Sequence, residues 1–188
     1  YVDTLGVHDD GSGLALYAGG HFTTAGGVTV NRVARWNGVA WSALSGPSGT
    51  GMGTGGYYDQ VYTLVAFDDG AGLALYAGGA FSTAGGMPAN RMARWDGSAW
   101  SALTGPSGAA GLPGDVRALE VFDDGTGPAL YAAGAFTTTA AGLCNHIARW
   151  DGSAWSALSG PYAVGVDGAV EALAVYDDGL GPALYAGG

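Results

Sequence analysis

Lysine is absent from the 188 residues, and six arginines face 16 aspartates and glutamates, for a formal charge of −10. Binding to DNA or RNA draws on basic residues that displace counterions, and attraction to anionic lipid needs the same cations. Neither a nucleic acid nor an anionic membrane surface is therefore expected as a partner. Cysteine is nearly missing as well: Cys144 stands alone, so no intrachain disulfide can form. Nowhere does an apolar run reach the roughly 18 residues that mark a membrane-spanning helix, and no membrane insertion of that kind is expected.

What the chain has instead is glycine, 37 residues of it, together with 48% apolar and 11% aromatic residues. Glycine costs a helix interior about 1 kcal/mol per position, while the apolar content is too high for a disordered segment. The expected class is all-β, with glycines concentrated in turns.

Self-comparison exposes a repeat. FDDGAGLALYAGGAFSTAGG at 67–86 recurs as HDDGSGLALYAGGHFTTAGG from His8, as FDDGTGPALYAAGAFTTTAAG from Phe122, and as YDDGLGPALYAGG from Tyr176. The Asp-Asp pairs begin at Asp9, Asp68, Asp123 and Asp177, and repeat phases start near residues 1, 61, 116 and 170. A second unit follows three of the four copies: NRVARWNGVAWSALSGP from Asn31, NRMARWDGSAWSALTGP from Asn90 and NHIARWDGSAWSALSGP from Asn145. Length varies almost wholly between the Gly-Pro that closes this unit and the next strand, which places surface loops there. Residues 1–188 thus read as a single repeat array whose last repeat is truncated.

Each repeat predicts four short strands, exemplified by Val116–Phe122, Ala129–Phe136, His146–Trp150 and Ala154–Leu158. Asp-Asp-Gly joins the first pair, and Asp-Gly-Ser in WDGSAW makes a tight hairpin turn that requires positive φ at its glycine. Strands such as VRALEVF are apolar on both sides of the alternation and need cover on two faces, so neighbouring sheets must stack. Such a repeat, folding as one four-stranded antiparallel sheet packed on its copies, is the blade of a β-propeller, and the chain holds about three and a part of them.

The residues that recur also resemble a known family. The order apolar-Tyr-Ala-Gly-Gly, Arg-Trp-Asp-Gly and Trp-Ser-Ala-Leu is similar to the kelch pattern. It is closer still to a bacterial repeat of secreted and surface propellers, itself similar to fungal cortical polarity-marker propellers. The match is carried by Gly19-Gly20-His21-Phe22-Thr23 with Asn31–Trp36, by Gly78–Thr83 with Asn90–Trp95, and by Gly134–Thr137 with Asn145–Trp150. The resemblance implies a propeller scaffold at the cell surface or outside the cell, with no activity common to the group. Ala133 departs from it where Gly19 and Gly78 stand, and His146 departs where Arg32 and Arg91 stand. Propellers close with about 4–8 blades, so the chain is expected either to be part of a larger propeller or to complete its ring with another chain, the first being favoured.

Several constellations are candidates for chemistry. Each Asp-Asp-Gly turn offers two carboxylates, whereas calcium takes six to eight oxygens. One Asp is therefore expected to cap its turn and the other to meet an arginine, with Arg35, Arg94 and Arg149 supplying one ion pair per repeat. Trp36, Trp41, Trp95, Trp100, Trp150 and Trp155 recur in register, as sheet-to-sheet packing does, with the indole N–H bonded to a neighbouring carbonyl. Exposed tryptophan rows would instead suit a sugar. WDGSAW also resembles the sialidase Asp-box, one residue short.

Catalysis on a repeated scaffold needs residues that break the repetition. These are few: His8, His21, Asp59, Arg117, Glu120, Cys144, His146, Asp167 and Glu171, in no spacing that suggests a triad or a zinc site. The copper oxidases of kelch type need a tyrosine, histidine and cysteine-linked tyrosine set that this stretch does not reproduce. No cofactor is expected. The reading is of a non-enzymatic structural or interaction module that engages a protein partner or its own copies. Two alternatives stand beside it: a glycan-binding propeller, with Tyr57, Tyr58 and Tyr162 as candidate ligand-loop residues, and part of an enzyme whose catalytic residues lie outside this segment.

Overall fold

The computed structural model describes residues 1–54, 56–161 and 163–188, and among them every regular element is a strand. Strand β1 (Val2–Asp9) turns through Asp-Asp-Gly into β2 (Leu14–Gly20); two short strands, β3 (Thr24–Ala25) and β4 (Val28–Thr29), precede β5 (Val33–Trp36) and β6 (Trp41–Ala43). The series recurs as β7 (Gln60–Asp68), β8 (Leu73–Ala80), β9 (Thr83–Ala84), β10 (Met87–Pro88), β11 (Met92–Trp95) and β12 (Trp100–Ala102). It recurs again as β13 (Val116–Asp123), β14 (Pro128–Gly134), β15 (Thr138–Thr139), β16 (Gly142–Leu143), β17 (Ile147–Trp150) and β18 (Trp155–Ala157). Strands β19 (Ala172–Asp177) and β20 (Pro182–Gly187) begin a fourth series.

Three four-stranded antiparallel sheets result, ordered β1-β2-β5-β6, β7-β8-β11-β12 and β13-β14-β17-β18, followed by the pair β19-β20. The two-residue strands of each series pair with each other as separate small hairpins. Sequence reading missed these hairpins, because two residues are too few for a period-2 pattern to show.

First strands lie side by side in chain order, β1 against β7, β7 against β13, and β13 against β19. The core therefore sits between sheets. Val61 and Leu64 of the second sheet pack with Ala15, Tyr17 and Val33 of the first. Val116 and Leu119 of the third pack with Phe67, Tyr76 and Met92 of the second, and Val170 packs with Ala118, Ala133 and Ile147. The two-sided apolar character of the first strands has its cause here, since β7 and β13 are each covered on both faces. Among the described residues no sheet covers the outward side of β1, and Leu5 is 60% exposed where its repeat equivalents Leu64 and Leu119 are 8% and 7% exposed.

The loops after each Gly-Pro are not surface throughout, contrary to the reading from length variation. Met52 and Leu112 within them are fully buried. Each loop is pinned at one glycine: Gly51, Gly111 and Gly165 adopt positive φ with their N–H groups bonded to Leu44, Leu103 and Leu158 carbonyls. The next residue, Met52, Leu112 or Val166, donates to the carbonyl of Asn31, Asn90 or Asn145. Those asparagines return side-chain bonds of 3.0, 3.1 and 2.9 Å to the loop carbonyls of Thr50, Ala110 and Val164. A shared anchor thus holds loops of different length.

Candidate functional site

The Asp-Asp-Gly turns divide their labour between the two carboxylates. Asp9 Oδ1 accepts the N–H groups of Gly11 and Gly13 at 2.9 and 3.0 Å, and Asp68, Asp123 and Asp177 cap their turns in the same way. The second aspartate turns toward its own sheet. Asp10, Asp69 and Asp124 each accept from the hydroxyl of Tyr17, Tyr76 or Tyr131, at 2.7, 2.6 and 3.0 Å. The same carboxylates pair with Arg35, Arg94 and Arg149 Nε at 3.2, 3.1 and 3.5 Å. Cross-strand register brings the set together, because Tyr17 lies opposite Arg35, Tyr76 opposite Arg94 and Tyr131 opposite Arg149.

Burial works to raise the Asp10 carboxyl, but hydrogen bonds from Ser12 and Tyr17 and the Arg35 charge outweigh it and hold the group at about 2. Burial, followed by the Asp10 and Asp69 carboxylates, drives the Tyr17 and Tyr76 phenols far above their usual range. The Asp10 carboxyl therefore stays ionised, and the Tyr17 and Tyr76 phenols stay neutral, at any physiological pH. Their chemistry is that of an internal clamp.

Tryptophans stack within each sheet, Trp36 on Trp41, Trp95 on Trp100 and Trp150 on Trp155, with centroids 5.4, 5.3 and 5.2 Å apart and tilts near 50°. The pairs of the second and third sheets are buried, while Trp36 and Trp41 are half-buried on the face of the first sheet that no other sheet covers among the described residues. The expected N–H to carbonyl bond exists for Trp100, which donates to Leu44 O at 3.3 Å. It fails for Trp95, Trp150 and Trp155, whose buried N–H groups have no acceptor. Apolar ring area, not that hydrogen bond, holds these side chains.

Among residues that break the repetition, His8 is buried at 2% exposure with both ring nitrogens unpartnered. It stacks against Tyr17 at 5.9 Å in the place where Phe67 meets Tyr76 at 5.8 Å. Burial lowers its pKa against the opposing pull of Asp10 and Asp9. The folded chain therefore binds a proton at His8 less readily than the unfolded chain, whose value is near 6.5. Stability is complete above that value and falls as pH drops below it toward the folded pKa. His8→Phe should stabilise the chain by about 1–3 kcal/mol at pH 7.5 through removal of unpaired buried nitrogens, and by more at pH 5.5. Urea midpoints at the two pH values check this; an equal gain at both would exclude protonation of His8 as a destabilising event.

Other singled-out residues fall elsewhere. Cys144 is fully buried in the core between the second and third sheets, and burial pushes its thiol up to about 11. Arg117 of β13 pairs with Glu171, the residue before β19, and Gln60 donates to Asp3 at 2.8 Å. Glu120 is half-buried, and its carboxylate accepts the N–H of Val121 at 3.2 Å. Tyr57 and Tyr58 are 79% and 85% exposed, edge to face at 5.4 Å, and Tyr57 meets His21 at 5.6 Å. Tyr162 lies outside the described residues. No group of three or more His, Cys, Asp or Glu is placed to hold a metal among the described residues.

The residue after each repeat asparagine, Arg32, Arg91 or His146, is held in three different ways. Arg32 is buried, donating to Asp59 O at 2.5 Å, Gly56 O at 2.7 Å and Phe22 O at 3.2 Å. Arg91 instead pairs with Asp115 at 3.1 Å and donates to Phe81 O at 3.3 Å, half-exposed at the wall of an open cleft. His146 Nδ1 lies 3.1 Å from Gly134 O. All three occupy the left-handed region, with φ of 71, 69 and 69°. Non-glycine residues there carry strain that tertiary contacts must hold in place. No protein-family model, curated protein or solved structure matches this chain.

Proposed function

We propose that the chain is a non-enzymatic structural and interaction module, a run of kelch-like β-propeller blades in a protein of the cell surface or extracellular space. The observation that carries this reading is the use made of the recurring polar residues. Asp, Arg and Tyr of each complete repeat are spent on one another inside their own sheet, and the apolar residues are spent on the adjoining sheet. Each sheet then derives stability from its neighbours without new chemistry, leaving the variable loops to differ between repeats and to meet a partner. Electron micrographs of the full-length protein test the architecture. Rings with a central channel are expected; an open, elongated stack of sheets would overturn the propeller reading.

A second reading, glycan binding, is favoured by a specific observation. Tyr57 and Tyr58 present two aromatic rings to solvent on one variable loop, and a ring of this kind offers an apolar face with a polar tip.

A further inference from the structure

We propose that the cleft between the second and third sheets, walled by Arg91, Asp115 and Tyr58, binds a neutral hexopyranose unit of a glycan. The proposal rests on the glycan-binding reading and gives it a site.

The three sheet junctions are built from the same repeat, and among the described residues only the middle one combines these groups in the open. Between the first and second sheets, carbonyls of the chain's own loop, at Gly56 and Asp59, close over Arg32 and leave it 3% exposed. Past the third sheet, His146 replaces the arginine and turns to a backbone carbonyl. At the middle junction the Arg91 and Asp115 side chains are 32% and 36% exposed in a cleft of about 370 Å3, with Tyr58, Asp59 and Ser82 on its walls. That volume lies within the usual range for small-molecule sites. The repeated position is built differently at each junction, and at the middle one it opens onto a cleft.

The functional groups define the ligand. Arg91 spends Nε on Asp115 Oδ1 and Nη1 on Phe81 O, which leaves Nη2 without a protein acceptor among the described residues. Asp115 Oδ2 likewise receives no protein hydrogen bond among the described residues. A fixed donor thus sits beside a fixed acceptor, an arrangement met by neighbouring hydroxyls, each of which donates and accepts. Tyr58 adds a flat apolar face with its own hydroxyl. An anion is disfavoured: Asp59 and Asp115 outnumber Arg91 in the cleft, and the whole chain carries −10. A polyhydroxylated, uncharged ring is the ligand that uses the donor, the acceptor and the aromatic face together.

Affinity electrophoresis of the full chain tests the proposal, in native gels cast separately with mannan, galactan, dextran or alginate. Retardation is expected in at least one of the three neutral gels, with apparent affinity falling tenfold or more for Tyr58→Ala and for Asp115→Asn. Tyr58 is exposed, so its substitution should leave the melting temperature unchanged and decides the matter should Asp115→Asn melt early. Retardation that survives both substitutions but is lost in Tyr57→Ala or Trp41→Ala would overturn this site and leave glycan binding standing. Retardation in alginate alone would overturn the neutral ligand. Free migration in every gel would overturn the site and the glycan reading together.

Discussion

Asp69→Ala is expected to cost the chain about 3–5 kcal/mol, the loss that follows when one partner of a buried ion pair is removed. Asp69 belongs to the sheet with neighbours on both faces. Its Oδ2 lies 2.6 Å from the fully buried Tyr76 hydroxyl and 3.1 Å from Arg94 Nε, while Oδ1 accepts the N–H of Ala71 at 3.0 Å. The arginine approaches off the axis of its N–H, so their attraction is chiefly Coulombic. Alanine would leave a guanidinium only 17% exposed without a counter-charge, still donating to Gly72 O at 3.2 Å, and a buried phenol without an acceptor. Asp69→Asn retains an acceptor and loses the charge, so it should fall between alanine and wild type. The preceding Asp68 caps its turn in the exposed loop, and Asp68→Ala should cost about 1 kcal/mol. Urea midpoints of the three variants measure the order. Equal losses at Asp68 and Asp69 would mean that turn capping, not the clamp, carries the energy.

That division between adjacent aspartates was half legible in the sequence. A doubled Asp before Gly, with an Arg in register one hairpin later, called for one cap and one ion pair. Which Asp did which was hidden, because the alternation of a strand ends where the turn begins. The tyrosine of the clamp was missed, although Tyr17, Tyr76 and Tyr131 recur in every complete repeat. Its cue was the spacing of seven residues from the second Asp, which a hairpin converts into proximity. The arginine cleft was less legible still. Arg32 and Arg91 are the same residue in the same motif, and their opposite fates are decided by loops whose lengths differ and whose alignment is lost. Only the residue counts around Tyr57, Tyr58 and Asp115 distinguish them, and those counts do not reveal which loop folds inward. Periodicity carries information about elements that repeat, whereas the candidate site lies where they do not.

The glycine doublet near the end of β2 and β8 yields the other large effect, and its two positions should respond differently. A Cβ on Gly79 would fall well inside contact distance of the Gln60 carbonyl oxygen, at the bulge where the register slips between Val61 and Thr63. Backbone cannot move there without unpairing β7 from β8, so Gly79→Ala should cost about 3 kcal/mol or more. A Cβ on Gly78 meets side chains instead, Val116 Cγ1 at 2.6 Å and Thr63 Cγ2 at 2.9 Å. The chain already contains an answer to that contact: in the third sheet Ala133 stands at this position, and its cross-strand partner is Ala118 where Gly78 faces Thr63. Gly78→Ala alone should cost about 1–3 kcal/mol, and Thr63→Ala about 1 kcal/mol through the lost bond from Leu119 N–H to the Thr63 hydroxyl. Together they should cost less than their sum, a favourable coupling of about 0.5 kcal/mol or more between residues in direct contact. A double-mutant cycle on denaturant midpoints measures it. Strict additivity would mean that Val116, not Thr63, sets the limit at Gly78, and that the alanine pair of the third sheet is tolerated through movement of Val170 instead.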